Sequence, residues 1–262
     1  MLFASTSLFA AVVQPLGTSS QVLIPSAGSA PGAFGTFFKS DITLVNLATH
    51  DQIVGLQWLP QASVSSTPQT TLITIPALTG VRSADFVSEV MHQSGIGAII
   101  VTGLNSSGNG LDSSARLFVK ERIWTPSQVA ANSGTASQSF PAIPLGTINT
   151  PIAAFFGVGG ADNVSAYRVN VGIVNVDPVN TQTFVVQVAG GGPVPPARTV
   201  TLPPLTMEQV GVGSGLATSS QIQVQNTTPL AQRTNNWTAY MSTVDNFSGD
   251  AWSEMAVVGT TP

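Results

Sequence analysis

Polar and apolar residues alternate along most of this chain, with the period of two that sends successive side chains to opposite faces of a β-strand. In "FKSDITLVNL" (residues 38–47), Phe38, Ser40, Ile42 and Leu44 fall on one face, and Lys39, Asp41 and Thr43 on the other. The phrase returns as "YRVNVGIVNV" (167–176), where Tyr167, Val169, Val171 and Ile173 form the apolar row and Arg168 and Asn170 look outward. Each row closes on an asparagine, Asn46 or Asn175, just ahead of turn-like residues. An Asn side chain there bonds the backbone of the following turn, so both are read as turn-fixing residues rather than ligand contacts.

The repetition extends beyond that phrase. "VGLQW" (54–58) is answered by "FVVQV" (184–188), "TIPALT" (74–79) by "TLPPLT" (201–206) and "GAIIVT" (97–102) by "SQIQVQ" (220–225). "ARLFVKERI" (115–123) is matched in position by "TAYMSTVDN" (238–246), and "VLIP" (22–25) by "PAIP" (141–144). A period this long indicates a duplicated domain rather than a short-repeat solenoid. Strands of this length bounded by Gly, Pro, Asn and Asp predict an all-β fold, two tandem β-sandwich domains related by internal duplication. The first spans 21–138 and the second 139–262, joined across the small, polar stretch "PSQVAANSGTASQS" (126–139), which reads as a linker or long loop. One short helix is expected, in the first domain, over "SADFVSEVMHQSG" (83–95). Phe86, Val87, Val90 and Met91 are helically spaced there, with Ser83 or Asp85 to cap the start and Gly95 to end it. The second domain has "MEQVGVGSG" in that place, too glycine-rich for a helix.

Composition narrows the function. Hydrophobic residues make up 43% and charged residues only 8%, against about 25% charged in an ordinary soluble domain. Mean hydropathy is +0.30, which argues against intrinsic disorder. Eight Lys and Arg, with no cluster, leave no basic footprint for nucleic acid. The absence of cysteine removes disulfides, thiolate metal sites and thiol nucleophiles. Residues 1–20, "MLFASTSLFAAVVQPLGTSS", resemble the apolar and cleavage regions of a secretory signal whose start lies upstream. The same segment reads alternatively as an ordinary first strand, or as a strand donated to a neighbouring molecule through Phe3, Phe9 and Val13. No later stretch is long and apolar enough to predict a membrane-spanning helix.

Catalytic chemistry is hard to assemble. There are two histidines, His50 in a turn and His92 near the end of the expected helix, and no nucleophile elbow. "FFGVGGADN" (155–163) lacks the third glycine of a dinucleotide fingerprint, and neither lysine, Lys39 or Lys120, follows a glycine as a P-loop requires. Acidic residues are scattered singly, so nothing in the sequence pairs two carboxylates for glycoside hydrolysis. The densest set of oxygen ligands is "VDNFSGDAWSE" (244–254), which makes Asp245, Asn246, Asp250 and Glu254 weak calcium candidates. An EF-hand loop needs glycine sixth and glutamate twelfth; counted from Asp245 they stand fifth and tenth. The commoner meaning of such a stretch is a polar hairpin turn.

The ordered set "IP … DITLVN … TIPALT … GAIIVT", followed by "VNVGIVN … TLPPLT … VDNFSGD", resembles secreted tandem β-sandwich, immunoglobulin-like surface proteins of environmental bacteria. That resemblance covers residues 21 to 262 and implies an extracellular place. It supplies no catalytic residues, and "SARLFVKER" in the first domain lacks the Asp-Asn-x-x-Gly-Asp ending of the second. The expectation is a non-enzymatic extracellular structural protein without cofactors, at a cell surface or in a filament or matrix, whose partners are like subunits or other surface proteins. The alternative is a carbohydrate-binding or adhesion module presenting Trp124, Trp237 or Trp252 to sugar rings, Trp58 being assigned to the core.

Overall fold

The computed structural model describes residues 18–32, 35–63, 67–127, 134–158, 167–190, 194–214, 216, 219–246 and 249–259. The signal-like stretch up to residue 17, with Phe3, Phe9 and Val13, lies outside them. Ser19 and Ser20 are already part of the first domain: Ser19 bridges Leu117, and the Gly103 N–H donates to the Ser20 carbonyl at 2.8 Å.

In the first half the alternating phrases become β1 (Gln21–Pro31), β2 (Phe37–Asn46), β3 (Gln52–Pro60), β4 (Gln69–Ile75) and β5 (Gly80–Ser83). They continue as β6 (Gly95–Leu104), β7 (Leu117–Pro126), β8 (Thr135–Gln138) and β9 (Ile143–Pro144). The strand β1 serves two layers. It pairs with β6 from Gln21 to Ser29, across an irregularity between Ile24 and Ala27, with β9 at Val22 and Leu23, and with β2 from Ser29 to Pro31. One layer runs β4-β3-β6-β1-β9 and the other carries β5, β2, β7 and β8. Ile42, Leu44, Val54, Leu56, Trp58, Ile99 and Val119 meet between them as a buried core.

The second half consists of β10 (Ile152–Phe156), β11 (Tyr167–Asn175), β12 (Gln182–Ala189), β13 (Arg198–Leu202) and β14 (Thr206–Ser214). It ends with β15 (Gln221–Asn226), β16 (Trp237–Asp245), β17 (Ala251–Met255) and β18 (Val257–Gly259). Its sheets run β13-β12-β15-β10-β18 and β14-β11-β16-β17. Strand for strand, this is the order of the first half. Val171 and Ile173 are fully buried on β11, as Ile42 and Leu44 are on β2. The closing asparagines do the same work twice. Asn46 Nδ2 donates to the His50, Ile75 and Pro76 carbonyls at 2.8, 3.1 and 3.2 Å, and its Oδ1 accepts from the Ala48 N–H. Asn175 Nδ2 donates to Asn180, Leu202 and Pro203 at 3.0, 3.2 and 3.0 Å, and its Oδ1 accepts from Asp177.

Two expectations need correction. First, the boundary at 138/139 and the linker at 126–139 are misplaced. Residues 135–138 form β8 on β7, and 143–144 form β9 on β1, so the first half extends past Pro144. "PAIP" is therefore the closing strand of the first half, and β10 is the counterpart of β1. The one short helix expected in the first half is present as a single turn, α1 (Phe86–Glu89). Its Asp85 N-cap makes no side-chain capping bond, and the chain leaves the turn through His92 at φ 56°. Second, "ARLFVKERI" and "TAYMSTVDN" align differently in space. Because Ile42 faces Glu121 and Val171 faces Met241 in the two ladders, Glu121 is the counterpart of Met241. By the same register Lys120 corresponds to Tyr240 and Arg122 to Ser242.

The halves are not beads on a string. Leu23, Leu59, Ala98, Ile100 and Phe140 from the first half pack with Val174, Met207 and Tyr240 from the second in a third buried core. The outer face of the β3-β6-β1 layer thus lies on the outer face of the β14-β11-β16 sheet, giving four layers and three cores. Polar contacts seal its rim, with the Ser63 N–H donating to Glu208 Oε2 at 2.9 Å and the Ala62 N–H to the Met207 carbonyl at 2.7 Å. No helix among the described residues is long and apolar enough to cross a membrane.

Candidate functional site

Where the two halves diverge at one end of the third core, they enclose a cleft of about 250 Å³. Its position follows from Tyr240. The ring lies across Gly172, where an added Cβ would come 2.0 Å from Tyr240 Cζ, so only glycine permits this packing. The ring also meets Phe140 edge-on, centroids 4.6 Å apart, and its hydroxyl donates to Gln209 Oε1 at 3.1 Å. Burial pushes the Tyr240 phenol well above the ordinary tyrosine range, so it remains a neutral donor. Beyond Tyr240 the outer row of β11 and β16 continues with Asn170, Arg168, Ser242 and Val244, and these form one wall. The opposite wall carries Phe38, Ile96 and Ile123 as apolar surface, with Ser26 and Gln138 as polar groups.

The electrostatics of that wall differ from those of its counterpart. On β2 and β7, Asp41 receives Arg82 through two bonds of 2.9 and 2.7 Å and lies 3.4 Å from Arg122. The Arg82 hydrogen bonds hold the Asp41 carboxyl below the usual carboxylate range. Lys39 pairs with Asp85 at 3.1 Å. In the second half Asp41 is replaced by Asn170, Arg122 by Ser242 and Lys120 by Tyr240, while Lys39 is replaced by Arg168. One charge is retained on a face that has lost the others. Arg168 donates to the neutral Asn246 Oδ1 at 2.5 Å, and no carboxylate lies within ion-pair reach of it among the described residues. Burial lowers its pKa, the sign expected of a cation drawn out of water without a compensating anion.

The neighbouring amides also retain unused donors. Gln138 Oε1 accepts from Ser242 Oγ at 2.9 Å and Gln209 Oε1 from Tyr240, which leaves both amide nitrogens without an acceptor among the described residues. The Asn170 side chain makes no protein hydrogen bond among them. Arg168, Asn170 and Gln209 from one wall and Gln138 from the other thus present donors to a cleft with an apolar back.

The calcium candidates are placed differently. "VDNFSGDAWSE" is the β16–β17 hairpin, closed by the Asp245 N–H to the Asp250 carbonyl at 2.8 Å and the Gly249 N–H to the Asp245 carbonyl at 2.9 Å. Glu254 pairs with Met241, four residues along β16 from Asp245, which separates them by roughly 13 Å along the strand. The Asn246 amide oxygen is occupied by a guanidinium. Asp245, Asn246, Asp250 and Glu254 are therefore not gathered around one point, and no cluster of three or more acidic or histidine side chains forms among the described residues. Of the aromatic candidates, Trp237 is buried in the second core, and Trp124 Nε1 donates to the Ala84 carbonyl at 2.8 Å. Trp252 is 39% exposed and packs edge-on against Tyr167, at 5.5 Å. Trp58 is buried, as the alternation requires. His50 lies 3.5 Å from Asp112 on the surface.

Sequence reasoning missed the cleft because its two walls come from different halves. The signal was present only in the substitution of Asp41 by Asn170 within otherwise matching phrases. Comparison with models of known protein families and with curated proteins finds no match.

Proposed function

We propose that this chain is a non-enzymatic extracellular structural protein, a subunit of a cell-surface layer, filament or matrix. One observation carries the reading: among the described residues β4 and β13 are edge strands that contain neither lysine nor proline. Among the described residues the strand β4, "QTTLITI", pairs only with β3, and β13, "RTVTL", only with β12. β4 exposes Thr70, Thr74 and, at 56%, Leu72, and β13 exposes Thr199 and Thr201 beside Arg198. Soluble proteins blunt such edges with lysine, proline or bulges. Both lysines lie elsewhere, on β2 and β7. Main-chain pairing along these edges gives like subunits a mode of association that requires little charge desolvation. Negative-stain micrographs of native material, with immunogold labelling of intact cells, test the proposal. Ordered polymers and surface label are expected. Dispersed monomers at high concentration together with internal label overturn it.

The donor-rich cleft favours a second reading, a carbohydrate-binding or adhesion module. Amide and guanidinium donors beside an apolar surface are the combination that a hydroxylated ring requires.

A further inference from the structure

We propose that the cleft between the halves binds an acidic pyranose, a hexuronate, with its carboxylate on Arg168 and its ring against Phe38 and Ile123. The inference rests on the carbohydrate-binding reading and specifies its ligand.

Three observations converge on it. Arg168 is the cation retained on a sheet face whose other charges are replaced by Asn170, Ser242 and Tyr240, and it has no anionic partner among the described residues. A guanidinium in a recess is matched by a planar carboxylate, which can take two of its N–H groups at once. The neighbouring amides add donors: the side-chain nitrogens of Asn170, Gln138 and Gln209 lack protein acceptors among the described residues. They suit the ring and hydroxyl oxygens of a sugar and would leave a purely apolar acid with unsatisfied surroundings. The volume, about 250 Å³, accommodates one monosaccharide rather than a long oligomer. A neutral sugar would leave the Arg168 charge uncompensated, so the acid should be preferred over its neutral parent.

The test is a ¹⁵N-HSQC titration of the intact protein, read on the Arg168 Nε–Hε and side-chain amide signals, with galacturonate, galactose and acetate. Saturable binding of galacturonate is expected, with Kd on the order of 1 mM and at least tenfold weaker binding of galactose and acetate. Arg168→Gln should abolish the galacturonate shifts while the amide fingerprint of the fold persists. Asn170→Asp, which places a negative charge beside the guanidinium, should do the same, and it guards against a folding defect in the first variant. Equal binding of galactose and galacturonate overturns the inference and leaves the carbohydrate reading standing. Equal binding of acetate reduces the cleft to an anion site and overturns it as well. No saturable shift with any of the three overturns both.

Discussion

Asn46 and Asn175 show how much of this fold is anchored by single side chains. Each is fully buried and ties the end of a central strand to two separate turns. Leaving those carbonyls unpaired costs about 1–3 kcal/mol per buried group. Asn46→Ala and Asn175→Ala should therefore each lower stability by several kcal/mol in urea titrations, and by similar amounts, since the bonds are the same. A loss below about 0.5 kcal/mol at either site would mean that the turns hold themselves. Glu121 makes the opposite contribution. It is 3% exposed and stands where the second core has Met241. Burial pushes its carboxyl well above the ordinary glutamate range, the Phe140 N–H offsets this in part, and the Asp41 charge adds to it. With the folded pKa raised, the stability linked to Glu121 is fully present below its unfolded pKa of about 4.3. It is lost as pH rises through the folded value. Asp41, held low by Arg82, has the reverse sign: its contribution is present above about pH 3.9 and lost as pH falls through its folded pKa. Melting temperatures across pH 3–9 should thus rise and then decline. Glu121→Gln should flatten the decline and Asp41→Asn the acid limb. An unchanged decline in Glu121→Gln would assign it to another group.

At the scale of elements, the alternating rows translate directly into strands because each side of a sandwich strand meets one environment. Ile173→Ala should cost about 2–5 kcal/mol, as for other fully buried aliphatics, measured by chemical denaturation. The matching turns after β4 and β13 were legible as "TIPALT" and "TLPPLT", but not their backbone. Leu78 and Leu205 adopt φ 56° and 54°, and Thr79 and Thr206 each bond the proline carbonyl three residues back, at 2.9 and 2.8 Å. Left-handed backbone disfavours leucine by roughly 1–2 kcal/mol. Leu78 is 65% exposed, whereas Leu205 packs against the third core. Leu78→Gly should accordingly be neutral or stabilising and Leu205→Gly destabilising, a difference in sign that thermal melts resolve. What the sequence concealed has a physical cause too. "PAIP" resembles "VLIP" in composition, yet a two-residue strand is chosen by the edge it finds, and β1 offers that edge. The helical spacing of Phe86, Val87, Val90 and Met91 reflects burial of one corner, and one turn suffices to bury Phe86, Val87 and Met91. The donor-rich cleft was illegible for a different reason: no local pattern reports which outer face will be covered by the other half.

Across the two described halves, the outer faces bear on whether the contact between them can repeat. The first half contributes its β3-β6-β1 layer and the second its β14-β11-β16 sheet, so the contact is heterologous and in principle continues. The free faces forbid it. Where β6 offers Ala98 and Ile100 to the third core, β15 presents Gln221 and Gln223, the latter bonded to Gln187 at 3.0 Å. Where β16 offers Tyr240, β7 presents Lys120 beside the Asp41–Arg122 pair. On the proposed assembly of like subunits, contacts are expected at strand edges, β4 and β13 among them, rather than by repetition of the third core. That core, with Leu23, Leu59, Met207 and Tyr240 buried and Phe140 against the ring, is large enough to couple the halves. The wild type should melt in one calorimetric transition with van't Hoff and calorimetric enthalpies equal. Met207→Asp buries an unpaired carboxylate between the layers without touching the interior of the first sandwich, and should convert that transition into two. If the wild type already melts in two steps, the halves fold independently and the third core is a contact rather than a bond between them.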